Sequence, residues 1–187
     1  MYNHLFISAG FFVPLLFWST LALCGSMHDN YNHLSNIVSE LGAAGSKTRI
    51  LFAVGLLLCS ALSIVFVVGL IQELRELQMS IIPALLILTY TFSIAGAAIF
   101  PMPHRLHGLL GSPSIALFLS PGLAIILWGQ ETSPIGIFPI SIISMLTMLL
   151  GLLVFFPHVL SKYIGLKQRF FHIGWSLWFV YLCVIFN

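Results

Sequence analysis

Apolar residues along this chain fall into six long runs that are separated by shorter polar connections. The runs cover residues 5–24, 51–71, 81–100, 109–128, 137–156 and 170–186. Most are close to the ~20 residues that an α-helix needs to cross the hydrocarbon core of a bilayer. Lipid offers no hydrogen-bond partners to a backbone, so runs of this length indicate helices that satisfy their own peptide groups. The pattern predicts an all-α bundle of six spans in one integral membrane domain, residues 1–187.

The composition agrees with this assignment and narrows the choice of partners. Hydrophobic residues make up 59% of the chain and charged residues only 6%, whereas soluble domains carry about 25% charge. The formal net charge is +2 and there is no basic tract, so a nucleic-acid partner is not expected. Membrane lipid is the expected surrounding. A membrane-protein partner or a second copy of the chain stays open.

The first connection, residues 25–50, is long enough to hold structure of its own. Four apolar residues within it follow the i, i+3, i+4, i+7 spacing of a helix face: Leu34, Ile37, Val38 and Leu41. We therefore predict an amphipathic interfacial helix over about 32–43. Helical spacing would gather His33, Asn36 and Glu40 on its polar side.

Small residues recur every four positions along the fourth span. They are Gly108, Ser112, Ala116, Ser120 and Ala124. In lipid, small residues at this spacing let two helices approach backbone to backbone. Pro113 and Pro121 interrupt the same helix and should bend it. The pattern predicts a bent, tightly packed helix at the centre of the bundle.

The candidate chemistry centres on two histidines and one carboxylate. If Pro103 begins the fourth helix, His104 and His107 share a face of its first turn. Together with Glu40 they form a candidate site for a divalent metal, in which Glu40 and His107 would be the catalytic acid–base pair. The alternative is a pair of interfacial histidines without a ligand, with Glu40 paired to an arginine.

Other polar residues should lie at the same membrane face. Ser39 and His33 belong to the predicted amphipathic helix, and Arg105 and Arg169 flank the fourth and sixth spans. These four side chains are candidate ligand-binding residues. Either arginine would also serve as the counter-charge of Glu40.

Three segments resemble one family of prokaryotic membrane proteins. They are Asn30–Ala43 with its Ser-Glu-Leu-Gly sequence, Phe100-Pro101 followed by His107-Gly108, and Gly165–Arg169 before the last span. The chain is identified on these segments as a member of the group called domain of unknown function 998. The resemblance implies six spans and a prokaryotic cytoplasmic (inner) membrane. It implies no activity.

Three classes of function are compatible with the sequence. The first is a protein that binds or transports a lipid or small amphiphile beside the bent fourth helix. The second is a membrane-embedded, metal-assisted hydrolase that uses the histidine and glutamate residues. The third is an accessory or structural subunit of a membrane complex. The six apolar runs contain no charged residue, which disfavours an ion-coupled pump.

The basic residues predict the orientation of the chain. Six of the seven fall on the first, third and fifth connections, which are residues 25–50, 101–108 and 157–169, and only Arg75 lies on the other side. Since cytoplasmic loops are enriched in lysine and arginine, both termini should lie outside the cytoplasm.

A reporter that fluoresces only in the cytoplasm should stay dark when fused to Asn187 and should fluoresce when fused after Thr48. A bright Asn187 fusion would reverse the orientation.

Overall fold

The computed structural model of the chain describes residues 2–129 and 134–187, and the regular structure of these residues is helical. Within them, six helices are long and apolar enough to cross a membrane. Their bounds are Asn3–Met27, Arg49–Glu76, Ile82–Ile99, Arg105–Trp128, Ile137–Phe155 and Ser161–Phe186. The six-span, all-α prediction is confirmed.

The α-helices are α1 (Tyr2–Met27), α2 (Arg49–Glu76), α3 (Ile82–Ile99), α4 (Arg105–Gly111), α5 (Leu119–Trp128), α6 (Ile137–Gly151) and α7 (Ile164–Phe186). Short 3-10 helices join them at Val38–Gly42, Ser112–Phe118, Leu152–Phe155 and Ser161–Tyr163. Neighbouring spans pack in chain order, and α7 closes the bundle by packing on both α6 and α1.

The central helix of the bundle is α7. In its most apolar stretch 61% of residues are buried, against 22% for the fourth span. The rings of Trp175, Trp178 and Phe179 have no exposed surface. They reach three other helices, since Trp175 lies against Tyr90 of α3 and Phe179 lies against Phe66 of α2, while the Trp178 indole N–H donates to Ser120 of α5. The expectation that the fourth span is central is therefore corrected.

The predicted stripe of small residues fails because the fourth span does not remain an α-helix. Pro113 opens the 3-10 stretch Ser112–Phe118, whose period of three residues per turn moves every fourth position off a common face. Ser120 and Ala124 are buried, but Gly108 and Ser112 are exposed. Leu117, which is outside the stripe, is fully buried.

The close helix approaches occur elsewhere. At Gly174 of α7, an added Cβ would lie 2.5 Å from Met148 Cγ and 2.7 Å from the Ser144 carbonyl oxygen on α6. The Ser144 hydroxyl donates to the Gly174 carbonyl at 2.5 Å. At Gly69 of α2, an added Cβ would lie 2.6 Å from Phe6 Cβ on α1. Glycine at these two positions lets the helix pairs α6–α7 and α1–α2 touch.

The first connection also differs from its prediction. Residues 33–36 form turns in place of the first part of the expected helix over 32–43, and only Val38–Gly42 is helical, as a 3-10 turn. Asn32 Oδ1 accepts from the Leu34 amide at 2.8 Å, a local bond that competes with helix formation. Two residues of the predicted apolar face, Val38 and Leu41, are nevertheless buried against the bundle.

The burial of Leu117 gives a stability prediction. Leu117→Ala should remove a fully buried side chain and destabilise the protein by about 2–5 kcal/mol, while Leu109→Ala, at a position that is 67% exposed, should change little. The measurement is the melting temperature of each variant in detergent. Equal melting temperatures would place Leu117 outside the packed core.

Candidate functional site

A cavity of about 300 Å³ lies at the end of the bundle that carries the first, third and fifth connections. Its walls come from α2, α3, α4, α7 and the 3-10 stretches that follow α4 and α6, and residues of the first connection cover it. Most of the lining is apolar or small, including Phe52, Ile94 and Phe171. A concave, largely apolar space with a few polar groups is the usual form of a small-molecule site.

Two of the residues that line the cavity each have one side-chain polar atom without a hydrogen-bond partner among the described residues. The Nδ1 atom of His172 lies 2.9 Å from the Trp175 indole nitrogen, and an indole N–H can only donate. Nδ1 is therefore the acceptor, and the imidazole carries its proton on Nε2. That Nε2 and the hydroxyl of Tyr90 are both buried and unpartnered among the described residues, although both residues line the cavity. Buried donors of this kind need a partner.

Two further lining residues are fixed by backbone contacts. His107 Nδ1 lies 2.9 Å from the Phe100 carbonyl oxygen, which accepts, so the neutral ring of His107 presents Nε2 as an acceptor. Gln168 Oε1 accepts from the Val38 amide at 2.7 Å. This bond ties the cover of the cavity to α7. Among the described residues, none of the side chains that line the cavity carries a formal charge.

Next to the cavity, Arg169 holds the first connection against α7. One guanidinium nitrogen donates to the carbonyl oxygens of Asn36 at 3.1 Å and Gly165 at 2.8 Å. The other donates to the Tyr31 hydroxyl and to His33 Nδ1, both at 2.9 Å. Arg169 is only 7% exposed, so these four acceptors replace its water.

No carboxylate of residues 2–129 or 134–187 contacts Arg169 directly. The ion pair present in the described part of the chain is Lys47–Asp29, at the surface. Asn36 links Glu40 to the guanidinium. The side-chain amide of Asn36 donates to Glu40 Oε2 at 2.6 Å, and the backbone carbonyl of Asn36 accepts from Arg169. The network brings together Arg169, His33 and Glu40, three of the residues expected at this face, and adds Tyr31 and Asn36.

The proposed metal ligands are not brought together. Helix α4 begins at Arg105, and His104 lies before it as the N-cap whose Nδ1 accepts from the Leu106 amide. His104 and His107 therefore do not share a face of a first helical turn that begins at Pro103. Glu40 accepts from the Ile37 amide at 3.0 Å as well as from Asn36. Over residues 2–129 and 134–187, no three His, Cys, Asp or Glu side chains form a group that holds a metal ion.

Of the remaining predicted site residues, some line the cavity and one does not. Ser39 and His107 line the cavity. Arg105 is exposed and its side chain makes no hydrogen bond to the described residues. The sequence interpretation missed Tyr90 and His172 as site residues. The available signal was that each is a hydrogen-bonding side chain placed within or beside an apolar run, where burial is costly without a partner.

The second buried cation of α7 has a structural role. Lys167 is 1% exposed, and its Nζ donates to the carbonyl oxygens of Phe156 at 3.1 Å and Val159 at 2.7 Å. These carbonyls follow the end of the fifth span. A cation at that position satisfies acceptors that a helix end leaves free.

The six apolar helices define a polytopic helical membrane protein, and the described residues enclose a largely apolar cavity. A family model described as "Protein of unknown function (DUF998)" matches residues 11–185. The chain belongs to this family, in agreement with the resemblance of its three segments. No curated protein and no solved structure matches the chain.

The contact between His33 and Arg169 predicts a dependence of stability on pH. Partial burial and the nearby guanidinium hold the pKa of His33 below its ordinary value of 6.5. The folded state then favours the neutral ring, so the free energy of unfolding is highest above about pH 6.5 and falls as the pH drops below that value. Protonation would also remove the lone pair that accepts from Arg169.

His33→Asn should flatten this dependence, because the amide oxygen accepts from Arg169 without titrating. The measurement is thermal unfolding in detergent between pH 5 and pH 8, compared with His158→Asn at an exposed position. If the melting temperature of His33→Asn fell with decreasing pH as much as that of the unaltered protein, protonation of His33 would not be the cause of the lost stability.

Proposed function

We propose that this protein binds a lipid or another small amphiphile in the cavity, as a binding or transport protein of the prokaryotic cytoplasmic (inner) membrane. The observation that carries the proposal is the cavity itself, about 300 Å³ in volume and mostly apolar, with no charged side chain among the described residues that line it. An apolar body fits such walls through the hydrophobic effect and dispersion contacts. A polar end would meet the hydrogen-bonding groups of His172, Tyr90, His107 and Gln168.

The side of the cavity supports entry from the bilayer. Gly108, Ser112 and Phe155 line the cavity and are also exposed, Phe155 by 60%. Helix α4 packs mainly on α3, while the stretch Leu152–Phe155 packs mainly on α7. In this proposal, an apolar molecule would enter the cavity sideways from the bilayer, between these two elements.

The orientation follows from the basic residues. With the first, third and fifth connections in the cytoplasm, the cavity opens near the cytoplasmic surface and both termini lie outside.

The other two classes have less support. A metal-assisted hydrolase needs a gathered ligand set, and His104, His107 and Glu40 are engaged separately by local backbone and side-chain groups. An accessory subunit needs no interior cavity with unpartnered donors on its wall. A small-molecule site accounts for both the cavity and the donors.

The proposal is tested by filling the cavity. A Cβ at Gly111 would meet only Ala97 Cβ, at 4.0 Å, so Gly111→Phe adds a ring at the cavity wall without a backbone clash. Purified protein should carry a defined lipid or amphiphile in native mass spectrometry. Gly111→Phe should carry about tenfold less, equivalent to ~1.4 kcal/mol of binding.

Leu109→Phe is the matched control, because Leu109 lies on the same helix and is 67% exposed outside the cavity lining. Its occupancy should equal that of the unaltered protein. Equal occupancy in Gly111→Phe would exclude the cavity as the binding site. Preparations without small molecules that retain a second membrane protein in stable complex would favour the accessory role.

A further inference from the structure

The two unpartnered groups on the cavity wall define what the occupant must offer. We propose that the cavity takes a neutral, lipid-soluble carbonyl compound, such as a ketone, quinone or ester, whose oxygen accepts from His172 Nε2–H and from the Tyr90 hydroxyl. The inference rests on the proposed function and specifies the chemical class of its ligand.

The donor character of this pair follows from its contacts. Trp175 occupies the Nδ1 lone pair of His172, so the free ring nitrogen is an N–H and cannot accept. The Tyr90 hydroxyl has no hydrogen-bond partner in the part of the chain that the structure describes and can donate to the same oxygen. Both rings pack against Trp175, with ring centroids at 4.9 Å for Tyr90 and 6.3 Å for His172, and both residues line the cavity.

The His172 donor is also held in place. Besides the bond to Trp175, its ring packs on Phe17 at a centroid distance of 4.6 Å, and Phe17 itself lines the cavity. A donor that is already fixed and already stripped of water loses little further freedom when an acceptor arrives. An unmade hydrogen bond at such a donor is costly, which favours an occupant that supplies the acceptor.

A neutral occupant is expected because none of the described side chains that line the cavity is a lysine or an arginine that could pair with an anion. Arg169 is adjacent, but its terminal nitrogens already donate to Asn36, Gly165, Tyr31 and His33. Lys167 donates to two backbone carbonyls. A carboxylate or phosphate buried here would lose its hydration without gaining a counter-charge. A carbonyl oxygen accepts two hydrogen bonds and carries no charge.

The test uses three probes of equal chain length: nonan-2-one, nonane and nonanoate. Each is titrated into the full-length protein in detergent, and the infrared carbonyl band of the bound ketone is recorded. The ketone should bind more tightly than nonane and nonanoate, with its carbonyl stretch moved to lower frequency by hydrogen bonding. Tyr90→Phe, which removes only the hydroxyl, should weaken ketone binding roughly three- to tenfold and leave nonane binding unchanged.

Tyr181→Phe is the control, because the Tyr181 hydroxyl donates to the Ile135 carbonyl outside the cavity. It should leave ketone binding unchanged. Without ligand, Tyr90→Phe should also melt at a higher temperature than the unaltered protein, since it removes an unsatisfied buried hydroxyl. If Tyr90→Phe fails to fold, the carbonyl stretch of the ketone bound to the unaltered protein is the test: a shift to lower frequency supports the inference, and an unshifted band overturns it.

The outcomes separate the two proposals. Equal binding of ketone and nonane, or an unshifted carbonyl band, would overturn the carbonyl inference and leave amphiphile binding intact. Preferred binding of nonanoate would overturn the requirement for a neutral ligand. Binding of none of the three, together with preparations free of lipid, would overturn the proposed function itself.

Discussion

The structure depends on how α7 carries a buried guanidinium that no carboxylate of the described residues contacts. Arg169 satisfies its terminal nitrogens with two carbonyls, a hydroxyl and an imidazole, and three of those four acceptors belong to the first connection. Burying a cation in this way is costly unless every donor is used. The same bonds that satisfy the charge therefore fix the first connection over the cavity, where Val38 and Ser39 become part of its wall. Removing any one acceptor would leave a donor buried and the cover loosened.

The core of the bundle and the candidate site use the same residues. Trp175 fills the centre of the bundle, and its indole N–H also determines which nitrogen of His172 carries the proton. Trp178 makes the corresponding bond to Ser120, and Trp18 of α1 donates to Ser176 of α7. Polar groups at membrane depth have only one another as partners. The Tyr90 hydroxyl and His172 Nε2 are among the buried side-chain atoms that lack a partner in the described part of the chain, and both residues line the cavity.

The fold was predictable where lipid imposes the constraint. Six apolar runs of spanning length leave few alternatives to six helices, and the structure has them. The helix ends were less predictable, because a helix can continue past its apolar stretch when charged side chains find acceptors. Lys167 and Arg169 were assigned to a connection on their charge, yet they lie within α7 and are buried against backbone carbonyls.

The small residues of the fourth span were misinterpreted because Pro113 converts an α-helical period into a 3-10 period. The actual close approaches between helices use single glycines such as Gly174.

The candidate site was predictable only in part, and the division has a physical cause. His33, Glu40 and Arg169 were expected at one face because polar residues near span ends share an interface, and the structure gathers them through Asn36. The histidine pair of the fourth span depended on where that helix starts, a boundary that the N-cap role of His104 moves by two residues. Tyr90 and His172 were not predicted because their distinguishing feature is an unpartnered polar atom, and this depends on how the helices pack. The two residues belong to different helices and both contact Trp175, so their spacing in the sequence does not indicate that they are close. Only the folded chain leaves the Tyr90 hydroxyl and His172 Nε2 without a hydrogen-bond partner among the described residues.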